Sequence, residues 1–248
     1  VRKKEQAAQH VGIQSHTHVL PETVTQQALL RHIAQLNAAK DVHGILVQMP
    51  LPEPLDAKAV ANHLDPAKDV DGFHPLNLGK LCQSDPSGLV PCTPLGIRYL
   101  LQFYGIFTKG RHLCVVGRST TVGLPASILA LQRGPWADAT VTVCHSGTQN
   151  LEAHTRQADV LIVAAGKPGL VGAQAIKPGA IVIDVGIHRQ PSPTGKDQLV
   201  GDVRVDEAFL GKVGAYTPVP GGVGPLTVAS LMTNVLQAWT QQKQAASS

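Results

Sequence analysis

The chain of 248 residues is 43% hydrophobic and 15% charged, which supports a sizeable core and excludes disorder as the main state. Aromatic residues make up 4%, and the net charge of +4 is not gathered into a Lys/Arg cluster, so nucleic acid is not an expected partner. No apolar run approaches the roughly 18 residues of a membrane helix, so no membrane partner is expected.

The first residues, Val1-Arg2-Lys3-Lys4-Glu5-Gln6, hold no signal-peptide core and no initiator methionine, so the chain is expected to have lost its true start. Residues 3–11 read as the end of a helix closed by Gly12. Ile13–Leu20 alternates like a strand. Residues 25–37 place Ala28, Leu29, Ile33 and Leu36 at helical spacing behind Thr25 as N-cap. Val42–Gln48 reads as a short strand, 57–64 as a short helix, and the stretch from there to residue 92 as a polar loop. Thr93-Pro94 then predicts an N-cap and first helical position for a helix to about Tyr104.

His112–Val116, Val141–Cys144, Val160–Ala164 and Ala180–Val185 are continuous apolar runs separated by turns or helices, the pattern of a parallel sheet covered on both faces. A last helix over about 226–242 places Val228, Leu231, Met232, Val235 and Leu236 on one face. The fold class is α/β: a domain on a Rossmann-like parallel sheet and a smaller α/β domain, with the C-terminal helix packing back on the first domain. The predicted division is 1–95, completed by 226–248, against 96–225. Cys82, Cys92, Cys114 and Cys144 form no Cys-x-x-Cys pair and read as reduced cytosolic thiols, without a disulfide framework or metal site.

Gly117-Arg118-Ser119-Thr120-Thr121-Val122-Gly123 joins a strand to a helix start, where backbone N–H groups and the helix dipole favour phosphate. The spacing is not Gly-x-Gly-x-x-Gly, and a tight connection explains it equally well. The next strand ends in His145-Ser146, where a fold selecting NAD places a carboxylate for the ribose diol. Arg118, His145 and Ser146 together suit a 2′-phosphate. Ala165-Gly166 and Gly186-Ile187 follow later strands, where ligands bind in open α/β sheets, though ordinary turns also fit.

In the first half, Gln48 ends a strand and needs partners. Asp69-Val70-Asp71 is a turn or a metal-binding fragment, but the twelfth position from Asp69 is Lys80, which argues against a calcium loop. Pro218-Val219-Pro220-Gly221-Gly222-Val223-Gly224-Pro225-Leu226-Thr227 suits a crossover or a backbone wall beside a ligand.

These segments resemble the bifunctional methylenetetrahydrofolate dehydrogenase/cyclohydrolase family across essentially the whole chain. The motifs are Lys4 ahead of Gly12-Ile13, Val47-Gln48-Met49-Pro50-Leu51-Pro52, Lys68-Asp69-Val70-Asp71-Gly72-Phe73, Pro91-Cys92-Thr93-Pro94, Val116-Gly117-Arg118-Ser119 and the 218–225 stretch. The family's Tyr-Val-x-x-Lys motif would have its tyrosine immediately before Val1. The resemblance implies NADP-dependent oxidation of 5,10-methylenetetrahydrofolate to the methenyl form and hydrolysis of that to 10-formyltetrahydrofolate, in a cytoplasmic homodimer. It implies Lys4 as the acid/base of hydrolysis with Gln48 beside it, Asp71 on the pterin, and Pro220, Gly221 and Gly222 along the folate. The positions expected to hold the dinucleotide are Gly117, Arg118, Ser119, Gly123, His145, Ser146, Ala165, Gly166, Ile187 and Thr227. A non-folate dehydrogenase of the same plan leaves Gln48, Asp71 and 218–225 unexplained; a non-catalytic nucleotide-binding module is the other alternative.

Overall fold

The computed structural model describes residues 1–191 and 197–247, so position 248 of the expected last helix lies outside the described residues. Two compact units are present: Val1–Cys92 with Val228–Ser248, and Thr93–Thr227.

The unit 93–227 is built on a parallel sheet of β1 (His112–Val116), β2 (Thr140–Cys144), β3 (Val160–Val163), β4 (Ile181–Asp184) and β7 (Ala215–Tyr216), in the order β2-β1-β3-β4-β7. One face buries Leu113, Val115, Val160, Ile162 and Ile183 against α5 (Cys92–Phe103) and α6 (Gly123–Leu131). The other buries Cys114, Leu161, Val163 and Val182 against Ile176 and Phe209. Burial on both faces is why these strands are continuously apolar. Register puts Val116 opposite both Cys144 and Val163, and Val163 opposite Asp184. The turns starting at Gly117, His145, Ala164 and Val185 therefore leave one edge of the sheet together. The chain order reverses between β1 and β3, the switch point where ligands bind in such sheets. Alongside are an antiparallel pair, β5 (His188–Pro191) and β6 (Asp197–Val200), and the short helices α7 (Leu151–Thr155) and α8 (Glu207–Leu210).

In the other unit, α1 (Arg2–His10) ends as expected. Gly12 has φ of 77°, its N–H reaches Gln9 O, and the Ile13 N–H reaches Ala8 O at 2.8 Å, a Schellman closure. Helix α2 (Gln26–Ala38) starts on Thr25, whose hydroxyl accepts the Ala28 N–H. Its far end is capped from a distance: buried Lys68 donates to the carbonyls of Leu36, Asn37 and Ala39. Helix α3 (Ala57–His63) follows Asp56 as N-cap.

Five readings of the sequence need correction. Ile13–Leu20 forms no strand and is largely exposed, and Val42–Gln48 is reduced to one bridge, Ile45 with Asp69. Alternation marks an extended chain, but a strand also needs a neighbour's N–H and C=O groups, and neither segment has a ladder among the described residues. The expected polar loop contains α4 (Pro75–Cys82), started by the His74 ring accepting the Leu76 N–H and by Pro75 at the first turn. Thr93 lies inside α5 instead of capping it, its hydroxyl 3.1 Å from that of Thr227.

The last correction concerns α9 (Val223–Ser247), on which Leu236 is 59% exposed and so does not join the buried face. Leu231 and Ala238 pack with Val70, Leu89 and Cys92. The same helix carries a set of amides. Asn234 donates to the Val70 and Val90 carbonyls, Gln237 to those of Pro86 and Gly88, and Gln242 to those of His43 and Ala67. The helix thus docks through donors to loop carbonyls as well as through apolar contact.

Candidate active site and dinucleotide site

In the first unit, Lys4 on α1 donates through Nζ to Gln48 Oε1 at 3.4 Å. The other end of that amide is fixed, Nε2 donating to Met49 O at 2.9 Å. Lys4 is half-buried and Gln48 exposed, so the pair faces an open surface. Asp71 shares this neighbourhood. Burial pushes its carboxyl above the usual carboxylate range, while the charge of Lys4 and a hydrogen bond from the Cys92 thiol pull it down. Burial and the Asp71 charge in turn push the Cys92 thiol well up, so it acts as a donor and not as a nucleophile. The Cys92 backbone follows Val90, which Asn234 holds, and its Sγ also meets Val70 O at 3.3 Å.

The nearby carboxylate of Asp69 has a different task. It is buried and accepts the His74 N–H at 2.7 Å and Asn77 Nδ2 at 3.1 Å, closing the turn into α4. Sequence reading did not single out Cys92 or Asn234 for this site. Cys92 lies 21 residues beyond Asp71 and Asn234 on the last helix, so only folding brings them there.

In the second unit, the β1 turn is held by close backbone approach. Gly117 has φ of 128°, and a Cβ there would lie 2.1 Å from Ala164 O; a Cβ on Gly123 would lie 2.1 Å from Gly117 O. Both glycines are therefore required for the turn to close on α6 and on the β3 end. Ser119 Oγ accepts the N–H groups of Val122 and Gly123, so the serine ties the turn at the start of α6 and keeps its own hydroxyl proton to donate. Arg118 is exposed beside it. At the β2 end, His145 Nδ1 accepts the Gly147 N–H at 3.1 Å, which leaves Nε2 as the outward donor, and Ser146 is exposed. Gly117→Ala should lower the melting temperature and weaken dinucleotide binding together. Strain at that φ alone costs about 1–3 kcal/mol; a scanning thermal melt and a cofactor titration check it, and unchanged values would show that the turn relaxes.

Three of the expected cofactor positions look different in space. The N–H groups of Ala165 and Gly166 do not point outward: both go to Asp202 Oδ2, at 2.7 and 2.9 Å. Thr227 bonds to Thr93 and to Val223 O within its own helix. Ile187 is 59% exposed, as a ligand-facing residue needs. In the 218–225 stretch, Gly222 donates to Pro218 O and Gly221 has φ of 104°, which shapes a tight turn over Pro220. Asp184, Asp202 and His188, which build a buried polar cluster at this edge, were not picked out from sequence. The only local signal is the glycine beside each acid: a Cβ on Gly201 would lie 1.8 Å from Asp184 Oδ2, and one on Gly186 would lie 2.5 Å from Asp202.

A family model described as the tetrahydrofolate dehydrogenase/cyclohydrolase NAD(P)-binding domain matches residues 91–243, and the catalytic domain of the same family matches residues 1–71. The chain belongs to the tetrahydrofolate dehydrogenase/cyclohydrolase family. The bifunctional protein FolD of Desulfovibrio desulfuricans is 49% identical over 98% of this chain and 82% of its own length. Among solved structures, the bifunctional FolD methylenetetrahydrofolate dehydrogenase/cyclohydrolase of Campylobacter jejuni superposes with a TM-score of 0.88 at 43% identity, covering 97% of this chain and 82% of that one. The Trypanosoma brucei methylenetetrahydrofolate dehydrogenase-cyclohydrolase, solved with NADP and an inhibitor, gives 0.88 at 40% identity over 97% of this chain and 81% of that one. The α/β class and the family resemblance drawn from the sequence are both borne out. The second unit carries the NAD(P)-binding domain of this dehydrogenase/cyclohydrolase family.

Proposed function

We propose that the protein oxidises 5,10-methylenetetrahydrofolate to 5,10-methenyltetrahydrofolate with NADP and hydrolyses that product to 10-formyltetrahydrofolate, in one-carbon metabolism. The observation that carries the reading is the Lys4–Gln48 pair beside the Asp71 carboxylate, in a chain that matches both domains of the family.

The nicotinamide supplies the hydride acceptor when bound. The glycine turn, whose two glycines leave no room for a Cβ, fits a close-lying pyrophosphate at the start of α6. Gly117, Ser119 and Gly123 shape that turn, Arg118, His145 and Ser146 hold a 2′-phosphate, and Ile187 lies against the cofactor. Asp71 accepts the adjacent N–H groups of a pterin edge. In hydrolysis, Lys4 takes a proton from the water that attacks the methenyl carbon and delivers it to the ring nitrogen as the bond from that nitrogen to the carbon breaks, the second water proton leaving to solvent as the formyl C=O forms, with Gln48 setting the direction of Nζ. Following the methenyl absorbance band with folate and NADP tests the whole reading. Its appearance and decay would support both steps; neither would refute the reading.

The choice of NADP over NAD rests on Arg118, His145 and Ser146 at a strand end without an acid. Arg118→Ala should lower kcat/KM for NADP by roughly tenfold or more, since a hydrogen bond to a charged group contributes about 1.5–3 kcal/mol, and leave NAD nearly untouched. An unmoved NADP/NAD ratio would remove Arg118 from the site.

The protein is further proposed to be a cytoplasmic homodimer. All four cysteines are free, and no helix among the described residues is long and apolar enough to cross a membrane. Phe103, Tyr104 and Phe107 are exposed, the last stacked on Trp136 at 4.4 Å, and exposed aromatic side chains are of the kind that associating proteins cover. Light scattering at the monomer mass would refute the dimer.

A further inference from the structure

At the ligand edge of the sheet, one buried carboxylate gathers donors from two separate turns. Asp202 is fully buried. Its Oδ2 accepts the N–H groups of Ala165 and Gly166, which follow β3. Its Oδ1 meets Nε2 of His188, which follows β4, at 2.7 Å. Asp202 is itself fixed by Asp184 at the end of β4. Asp184 Oδ1 accepts the N–H groups of Asp202 and Gly186, and Oδ2 accepts that of Val203. Thr217 closes the set, its hydroxyl accepting the Asp184 N–H at 2.8 Å just before Pro218. Each glycine facing these acids leaves the space a Cβ would fill.

Burying two carboxylates in one hydrogen-bonded cluster is costly, and a fold that needed only a tight turn could close one without them. The cost fits a site that must be fixed in shape before its ligand arrives. A trans peptide directs its C=O opposite to its N–H. With the Gly166 N–H turned to Asp202, the Ala165 carbonyl is therefore turned away from it as a fixed acceptor. His188, its side chain only one-fifth exposed, is held by Asp202 and so anchors the chain immediately after exposed Ile187.

We propose that Asp202 and His188 are positioning residues for the dinucleotide, locking the turns after β3 and β4 so that the Ala165 carbonyl and the Ile187 side chain meet its nicotinamide end. The inference rests on the dinucleotide-binding reading of this unit. The pair does not touch the cofactor; it acts through the two turns. Asp202 also explains why Ala165 and Gly166 cannot serve as N–H donors to a phosphate: both donors are already taken.

The test measures NADP affinity by titration calorimetry, and both turnovers, in His188→Leu, His188→Gln and Asp202→Asn. Leucine removes the donor; the amide of glutamine reaches about as far as Nε2 and keeps it. His188→Leu should raise the NADP Kd and KM about tenfold, as expected for a lost hydrogen bond to a charged group. His188→Gln should restore most of that loss, and Asp202→Asn should weaken NADP binding at least as much as His188→Leu. Hydrolysis of methenyltetrahydrofolate takes no NADP and should hold in His188→Leu. An unchanged NADP Kd in His188→Leu, no rescue by glutamine, or a parallel fall in hydrolysis would overturn the proposal. Absent folate turnover with intact NADP binding would instead refute the folate reading and leave this inference to be judged by the Kd series.

Discussion

Replacing Lys4 by methionine should abolish hydrolysis of methenyltetrahydrofolate while hydride transfer to NADP remains measurable. Methionine keeps the unbranched stem of lysine but carries no proton, and hydrolysis needs a group that takes one from water. The loss should be roughly 10²–10⁴-fold, the usual contribution of general acid–base catalysis. Hydride transfer needs no such group, so it should fall only as far as folate positioning suffers. The geometry adds a companion variant. Gln48 is held by Met49 O and accepts from Nζ, so Gln48→Leu should also lower hydrolysis, by misdirecting the amine while leaving it present. Both steps are measured on the same preparation of each variant. Intact hydrolysis in Lys4→Met would make Lys4 an ordinary surface lysine; equal loss of both steps would make it a binding residue.

Asp71→Ala should damage both reactions together, because both use the same bound folate. A carboxylate accepting two pterin N–H groups makes charge-assisted hydrogen bonds, each contributing about 1.5–3 kcal/mol, so kcat/KM should fall by at least about a hundredfold in both assays. Stability should move the other way in Asp71→Asn. Burial raises the folded pKa of Asp71 above its unfolded value, so its favourable contribution is present below the ordinary carboxylate range. That contribution is lost as pH rises through the raised value, and at neutral pH the ionised group costs stability. The amide removes that cost, so ligand-free Asp71→Asn should melt higher than wild type at pH 7 and differ less at pH 4. Asp69→Ala should instead lower stability, because it strands the His74 N–H and Asn77 that Asp69 holds. Near-normal kinetics in Asp71→Ala would remove that residue from the site.

Local chemistry determined much of this molecule from its sequence. Thr25 and Gly12 bound helices because a hydroxyl and a left-handed glycine act within one turn of chain. The sheet was legible because strands buried on both faces must be apolar throughout. The family, and with it Lys4, Gln48 and Asp71 as candidates, was legible because the motifs are contiguous. Tertiary structure decided what depends on distant partners. Ile13–Leu20 alternates like a strand but has no ladder among the described residues, and pairing belongs to two segments, not one. Leu236 fits the helical stripe yet faces solvent, while Asn234 on the same helix is buried because loop carbonyls far back in the chain need its amide. Ala165 and Gly166 read as cofactor positions or an ordinary turn, and only the fold brought Asp202 to their N–H groups. A carboxylate 36 residues beyond the turn that it holds leaves no periodic or local trace, since side-chain acceptors are chosen by proximity in space and not by spacing in sequence.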